Sequence, residues 1–265
     1  MKKNIAIVGF GGQGGWHGDH ALKSDVVSLA GIYDIKEARC EYARSKGIHV
    51  YESFEAVLAD EKVDVVVCAT PNDVHEDIVV RSLKAGKNVV CEKPVEMSVA
   101  SLDRMIAAAE ESGKLFTVHQ NRRWDVDFLG MKKIIESGDI GEVINIESRI
   151  HGSRGIPSDW RCHKPYGGGM ILDWGVHLID QMLFLITSEI DTVTCNCTHI
   201  TTDTYEVERP QSDVHDFYRN LVKAIDGIEP QLVTLPQVRR VMKVMEAAFK
   251  SDELGGIPVK FDEQA

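Results

Sequence analysis

The sequence predicts an α/β chain in two parts, a parallel sheet with helices on both faces over residues 1–120 and a reduced α+β domain over residues 121–265. Three observations predict it. Up to about residue 120, short β-branched runs alternate with amphipathic stretches, the pattern of strands joined by crossover helices. The run VDVVVCAT at 63–70 is apolar along most of its length, as befits a strand covered on both faces. After His119 the alternation stops, and longer helical stretches follow with only two strand-like runs between them.

Along the first part, strands are expected at 4–8, 26–33, 63–69, 88–91 and 115–119, with helices at 15–23, 36–46, 74–85 and 99–112. Gly86 and Gly113 stand just past the last two helices, where a left-handed residue ends a helix at least cost. In the second part the pattern gives a helix at 126–136, a strand at 143–150, a Gly-rich turn and a helix at 170–185. A strand at 191–201 and helices at 214–224 and 236–250 complete it.

Composition narrows the function classes. The 265 residues are 43% hydrophobic and 27% charged, ordinary values for a globular chain. Thirty Lys and Arg against 41 Asp and Glu give a net charge of −11, the wrong sign for neutralising phosphate backbones, so nucleic acid is excluded as a partner. No run approaches the roughly 18 apolar residues of a membrane helix. The opening MKKNIAIVGFGGQGG breaks into glycines too early for a signal peptide, and the chain reads as cytoplasmic. Six cysteines, at 40, 68, 91, 162, 195 and 197, read as reduced thiols. Cys195, Cys197 and His199 alternate on one strand face, but no matching pair of ligands follows at metal spacing, so no metal is expected.

The first strand runs into Gly9-Phe10-Gly11-Gly12-Gln13-Gly14, a G-x-G-x-x-G that opens a helix, the phosphate cradle of a Rossmann-type dinucleotide fold. Gly9 permits the tight turn, Gly11 lets backbone N–H groups approach a pyrophosphate, and Gly14 lets helix and strand pack closely. With Gly12 and Gln13 at the helix N-terminus, these are the candidate phosphate contacts. Asp34 lies twenty residues past Gly14, where an acidic side chain binds a ribose 2′-hydroxyl and repels a 2′-phosphate. NAD is therefore expected over NADP, with Ile35 as a further contact and Lys36 leaving some tolerance for NADP.

Two more motifs fall at strand ends, Ala69-Thr70-Pro71-Asn72-Asp73-Val74-His75 and Cys91-Glu92-Lys93-Pro94. Together with His17 after the glycine loop and with Gly167-Gly168-Gly169, Asp173, His177 and Asp180 downstream, they make the chain resemble the glucose-fructose oxidoreductase and inositol dehydrogenase family (Gfo/Idh/MocA) over residues 1–200 and 212–261. The resemblance implies a nicotinamide-dependent dehydrogenase of sugars, inositols or related polyols. It implies that Lys93, Asp173 and His177 surround the reacting carbon, and that Thr70, Pro71, Asn72, His75, Glu92 and Lys93 lie against the cofactor. It also implies a cis peptide before Pro94.

The chemistry is sensible on its own terms. Oxidising a secondary alcohol needs a base for the hydroxyl proton while nicotinamide accepts hydride, and His is the side chain that titrates nearest neutrality. His177 is the candidate base. Asp173, four residues earlier, shares its helix face and either binds substrate or orients the imidazole, and Asp180 extends that face. Lys93 would stabilise developing alkoxide charge. Arg122, Arg123, Trp124, Trp160, Arg161, His163 and Tyr166 are the candidates for a carbohydrate pocket, with Arg122, Trp160, Arg161 and Tyr166 foremost.

Members of this family are usually longer, because their second domain carries a large and mostly antiparallel sheet. Here residues 202–212 lead almost directly from the last strand into the closing helix, so several strands are expected to be missing, whether naturally or by an introduced deletion. The expected consequences are a monomer and altered substrate binding. Two other functions stay open at this point: an NAD-binding scaffold with impaired catalysis, and an enzyme that recycles bound NAD during elimination or glycoside cleavage.

Overall fold

A computed structural model describes residues 2–150, 163–186, 188–196, 213 and 215–261. They form two compact units. The first holds Met1–Glu96, Ala100–His119 and His215–Leu235, and the second holds Met97–Val99, Gln120–Val214 and Pro236–Ala265.

The first unit is built on β1 (Lys3–Val8), β2 (Val27–Tyr33), β3 (Val65–Cys68), β4 (Asn88–Cys91) and β5 (Phe116–Val118). They lie in the order β2-β1-β3-β4-β5, every neighbouring pair parallel. Helices α1 (Gly12–Ala21), α2 (Glu37–Ser45), α3 (Phe54–Ala59), α4 (His75–Lys84) and α5 (Val99–Ser112) connect them. Ile5, Ile7, Val66, Val67, Val89 and Val90 are fully buried because helices cover both faces. The order turns back at β1, whose chain leaves toward β2 on one side while β3 pairs on the other. That reversal opens a crevice at the C-terminal strand ends, where ligands of open α/β sheets bind.

Helix α8 (Asp216–Ile225) joins this unit from a hundred residues downstream of β5. Its Phe217, Tyr218 and Leu221 are buried. The segment after it covers the free edge of the sheet, since Thr117 Oγ1 donates to the Val233 carbonyl at 3.0 Å and Gln231 Nε2 donates to the Phe116 carbonyl at 3.2 Å.

The second unit contains α6 (Val126–Ser137), α7 (Val176–Leu185), most of α9 (Leu235–Glu253), and β6 (Thr192–Val193) paired antiparallel with β7 (Val259–Lys260). Among the described residues no helix is long and apolar enough to cross a membrane.

The structure corrects the expected elements in four places. Residues 143–150 form no strand: nothing among the described residues pairs with them, Ile144 is 93% exposed, and β-branched residues make a strand only where a ladder receives their backbone. The strand expected at 191–201 is reduced to Thr192–Val193, and residues 197–201 lie outside the described ones. Helix α3, with the Ser53 hydroxyl accepting from the Ala56 N–H at 3.1 Å, went unpredicted because six residues are too few to display a period. The helix expected at 170–185 starts as one π-helical turn, Ile171–Gly175, before α7.

Candidate functional site

The glycine loop closes over the end of β1. Gly9 has φ +89°, and a Cβ there would come within 2.7 Å of the Ala69 carbonyl oxygen. Gly14 is tighter still, since its Cβ would fall 1.9 Å from the Gly9 carbonyl oxygen. By contrast, a Cβ on Gly11 or Gly12 would meet nothing within 4 Å. Two glycines are thus required by the fold, while the pair at the N-terminus of α1 faces open space with unsatisfied N–H donors beside it. That arrangement fits a bound pyrophosphate. Gly14→Ala should cost about 1–3 kcal/mol through overpacking against main chain that cannot yield. It should also abolish dinucleotide binding, measurable by urea unfolding and by calorimetric titration of the same sample.

Asp34 follows β2 and is held against the loop. Its Oδ2 accepts the Phe10 N–H at 2.6 Å and its Oδ1 accepts the Lys36 N–H at 2.8 Å. Each oxygen keeps a further lone pair, so the carboxylate can still receive two hydroxyls of a ribose. The neighbouring Ile35 is 85% exposed and can cover a flat apolar ring.

At the end of β3, Thr70 is partly exposed, Pro71 exposed and Asn72 buried. His75 is wholly buried and its two ring nitrogens lie 3.0 Å from the Val95 carbonyl and 2.9 Å from the Thr70 carbonyl, so it ties the two strand-end segments together. At the end of β4, Lys93 is half-buried and the Lys93–Pro94 peptide is cis.

Glu92 turns inward. Its Oε1 accepts His17 Nε2–H at 2.7 Å and His119 Nδ1–H at 2.8 Å, and its Oε2 accepts the Lys93 N–H at 3.1 Å. Tyr218 of α8 donates its hydroxyl to His17 Nδ1. Glu92 therefore links the glycine-loop helix, the ends of β4 and β5, and the backbone of Lys93. Two clusters carry metal-ligating residue types, His17-Glu92-His119 and Cys68-His75-Cys91, and both are buried; Glu92 bonds both imidazoles of the first, although His119 Nε2 has no hydrogen-bond partner among the described residues, and the members of the second bond Thr70 and Val95.

These bonds set the charges. Burial alone would raise the Glu92 carboxyl, but the adjoining imidazoles of His119 and His17 outweigh it and hold the group well below the usual carboxylate range. Burial pushes His17 below its ordinary 6.5, helped by nearby His119 and opposed by Glu92. Unfolding releases both groups to bind protons near 4.5 and 6.5, so acid loads the unfolded chain first. Stability should fall as pH drops below about 6.5 and fall faster below about 4.5. Glu92→Gln should lower stability at pH 7 by about 2–3 kcal/mol, from weakened charge-assisted bonds, and flatten the acid slope. Urea unfolding at stepped pH checks both.

The second unit holds the other half of the expected chemistry. Asp173 lies in the π-helical turn and His177 one residue into α7, so the simple i, i+4 helical face is replaced by a wider turn of the kind that often marks functional sites. His177 is buried, with the Trp174 ring edge-on at a centroid distance of 6.0 Å. Arg122 lies over Trp174, its guanidinium carbon 4.3 Å from the ring centre, and bonds Asp125 at 2.8 Å. Gln181 of α7 donates to the Arg122 carbonyl at 2.8 Å. One loop and one helix thus bring Arg122, Asp173 and His177 onto the same part of the unit. Tyr166 is exposed on a short 3-10 turn. Trp160 and Arg161 lie outside the described residues.

Arg123 and Asp180 line a small cavity together with Leu183, Phe184 and Gln237. The two form a buried bidentate pair, Nε to Oδ2 at 2.8 Å and Nη2 to Oδ1 at 2.6 Å, so the guanidinium of Arg123 and the carboxylate of Asp180 engage each other. A planar guanidinium between helices finds its best partner in a carboxylate it can clamp. Sequence reasoning also missed His119 and Tyr218. The HQNRRW stretch after β5 could have drawn attention to His119, whereas nothing near Tyr218 announces its bond to a histidine 201 residues away.

Residues 3–120 match an oxidoreductase family described by an NAD-binding Rossmann fold, and residues 128–228 match the GFO/IDH/MocA C-terminal domain. An uncharacterised oxidoreductase of Schizosaccharomyces pombe is 37% identical over 198 residues, 71% of this chain and 51% of its own. The scyllo-inositol 2-dehydrogenase (NADP(+)) of Bacillus subtilis is 31% identical over 184 residues, 68% and 51% respectively. The chain therefore spans about half the length of these curated relatives. Among solved structures, an NAD-binding protein from Listeria innocua is 34% identical with a TM-score of 0.89, the match covering 100% of this chain and 98% of that one.

Proposed function

The chain belongs to the GFO/IDH/MocA family of oxidoreductases, and on that premise we propose that it oxidises a secondary hydroxyl of a sugar, inositol or related polyol with NAD, in preference to NADP, as hydride acceptor. The observation that carries the cofactor half is the pairing of an open cradle at Gly11 and Gly12 with the Asp34 carboxylate fixed to the loop by the Phe10 N–H. A bound 2′-phosphate would bring negative charge to that carboxylate. The B. subtilis relative bears an NADP name, which makes this preference the first point to test.

When bound, the nicotinamide supplies the site that takes up hydride from the carbinol carbon. On this reading the His177 imidazole accepts the hydroxyl proton, and Asp173 orients the imidazole or binds a neighbouring hydroxyl. The Lys93 ammonium stabilises the oxygen as it gains negative charge. Thr70, Pro71, Asn72, His75 and Glu92 hold the cofactor side, the last two by fixing backbone. Arg122 and Tyr166, with Trp160 and Arg161, would face the sugar. We place the chain in the cytoplasm, where Cys40, Cys68, Cys91 and Cys195, none of them in a disulfide, stay reduced, and as a monomer, since the described part of its second unit carries one two-stranded sheet. A dimer or tetramer in light scattering would overturn the monomer.

The test is a panel of inositols, hexoses and their acids incubated with the purified chain and NAD or NADP, followed by the absorbance of the reduced cofactor. Turnover on at least one polyol, with NAD favoured in kcat/KM, is expected. Tight cofactor binding without turnover on any member would replace the dehydrogenase with a binding scaffold.

A further inference from the structure

Tyr218 takes no part in the proposed chemistry, yet it is the far end of a buried chain of hydrogen bonds that reaches the helix carrying the phosphate cradle. Its ring stands edge-on to that of His17, with centroids 5.9 Å apart, and its hydroxyl meets His17 Nδ1. On the other side of the imidazole, His17 Nε2 lies 2.7 Å from Glu92 Oε1, which also takes His119 Nδ1 at 2.8 Å. Glu92 Oε2 lies 3.1 Å from the Lys93 nitrogen. Tyr218, His17, His119 and Glu92 are all buried, and all belong to the first unit.

The chemistry of the groups fixes the direction of each bond. A carboxylate only accepts, so His17 Nε2 and His119 Nδ1 both carry hydrogen. Burial keeps His17 below its ordinary value, so near neutrality it holds no second proton and its Nδ1 is a bare lone pair. The Tyr218 hydroxyl therefore donates to Nδ1. Burial and the charge of Glu92 push the phenol well above its ordinary value, so the hydroxyl keeps the hydrogen it donates. Only one tautomer of His17 suits both neighbours: with the hydrogen moved to Nδ1, the Nε2 lone pair would face the carboxylate.

The place of His17 in the fold gives these bonds a consequence. His17 sits in the middle of α1, the helix whose N-terminus lies beside Gly11 and Gly12, while Glu92 follows directly on β4. The His17–Glu92 bond thus ties the cradle helix to a strand end. Tyr218, 201 residues away on α8, satisfies the nitrogen that faces away from Glu92. Without the hydroxyl, Nδ1 is a buried acceptor lacking a donor, and the imidazole gains by turning it toward water and away from the carboxylate.

We propose that Tyr218 is a positioning residue of the cofactor site: by donating to His17 Nδ1 it fixes the imidazole that holds α1 against Glu92, so that the helix N-terminus is aligned for a pyrophosphate before the dinucleotide arrives. This rests on the reading of the chain as an NAD-dependent enzyme. A cradle already in place binds more tightly than one that must be ordered by its ligand.

The test is Tyr218→Phe, which removes one oxygen and keeps the ring. Calorimetric titration should show NAD bound about three- to tenfold more weakly, the size of one lost buried hydrogen bond. Leu221→Val trims another buried side chain of α8 without touching the hydroxyl, and it should leave the NAD dissociation constant where it was. In the unliganded chain, isotope-labelled at the histidine nitrogens, NMR at about pH 7 should show His17 with hydrogen on Nε2 alone. In Tyr218→Phe the bare Nδ1 signal should move to that of a nitrogen without a donor. A Tyr218→Phe chain that binds NAD as tightly as wild type would overturn the proposal. So would a Leu221→Val chain weakened to the same extent, since the packing of α8 rather than the hydroxyl would then set the affinity, and so would a wild-type His17 with hydrogen on Nδ1. A wild-type chain that binds no dinucleotide would overturn the cofactor reading itself, and the His17 signals, which need no ligand, tell the two failures apart.

Discussion

His177→Ala is expected to lower kcat for polyol oxidation by about 10²- to 10⁴-fold, the usual contribution of a positioned general base, while the dissociation constant of NAD stays where it was. The hydroxyl proton must leave as the hydride does, and near neutrality water is a poor acceptor. His177 is buried at the start of α7 with Trp174 packed edge-on against it, so packing fixes the plane of the imidazole before any substrate arrives. His177→Gln should be nearly as slow as the alanine variant, because it retains polarity and volume without a titratable nitrogen. Lys93→Ala should cost about 10²- to 10³-fold, the effect of removing one preorganised charge from a developing oxyanion. The double variant should be far less than multiplicatively slower, since the two groups serve one transition state. Steady-state kinetics with a titration of NAD binding separate the two effects. A His177→Ala chain that turns over at the wild-type rate would remove the base assignment.

Asp180→Ala should destabilise the second unit by about 3–5 kcal/mol, the cost of leaving a buried guanidinium without its anion. Arg123 is held by both Asp180 oxygens, by Gln237 Oε1 at 2.9 Å, and by the face of Phe184, 4.6 Å from the guanidinium carbon to the ring centre. Removing the carboxylate strands a charge that is only 5% exposed, whereas removing both charges does not. Arg123→Met combined with Asp180→Leu should therefore recover much of the loss, because apolar side chains of similar volume can replace a buried pair at little cost. In thermal melts the single variant should unfold about 10 °C earlier, at the few degrees per kcal/mol typical of this chain length. A melting temperature equal to wild type would show that the pair is dispensable.

The parts legible in the sequence are those whose determinants are local. The glycine loop, the Asp34 spacing and the five strands of the first unit each depend on residues within one βαβ segment, and the structure forms all five strands. The parts that escaped depend on partners far along the chain. In the sequence Asp180 is one more polar residue on a helix face, and the Arg123 that clamps it stands 57 residues earlier. Tyr218 reads as an ordinary aromatic in an amphipathic helix, yet it closes the network that Glu92 organises around the Lys93 backbone. Residues 143–150 differ for the converse reason: their β-branched run carries strand propensity, but among the described residues no strand pairs with it. Helix α3 was lost to its own shortness.

The most direct measurement is a calorimetric titration of the purified chain with NAD and, separately, with NADP at the same ionic strength. The expected result is one NAD site per chain, with NADP at least about tenfold weaker because its 2′-phosphate meets the Asp34 carboxylate, and with the discrimination lost in Asp34→Ala. Absence of heat with either dinucleotide, or tighter binding of NADP than of NAD, would contradict the assignment of this chain as an NAD-dependent oxidoreductase.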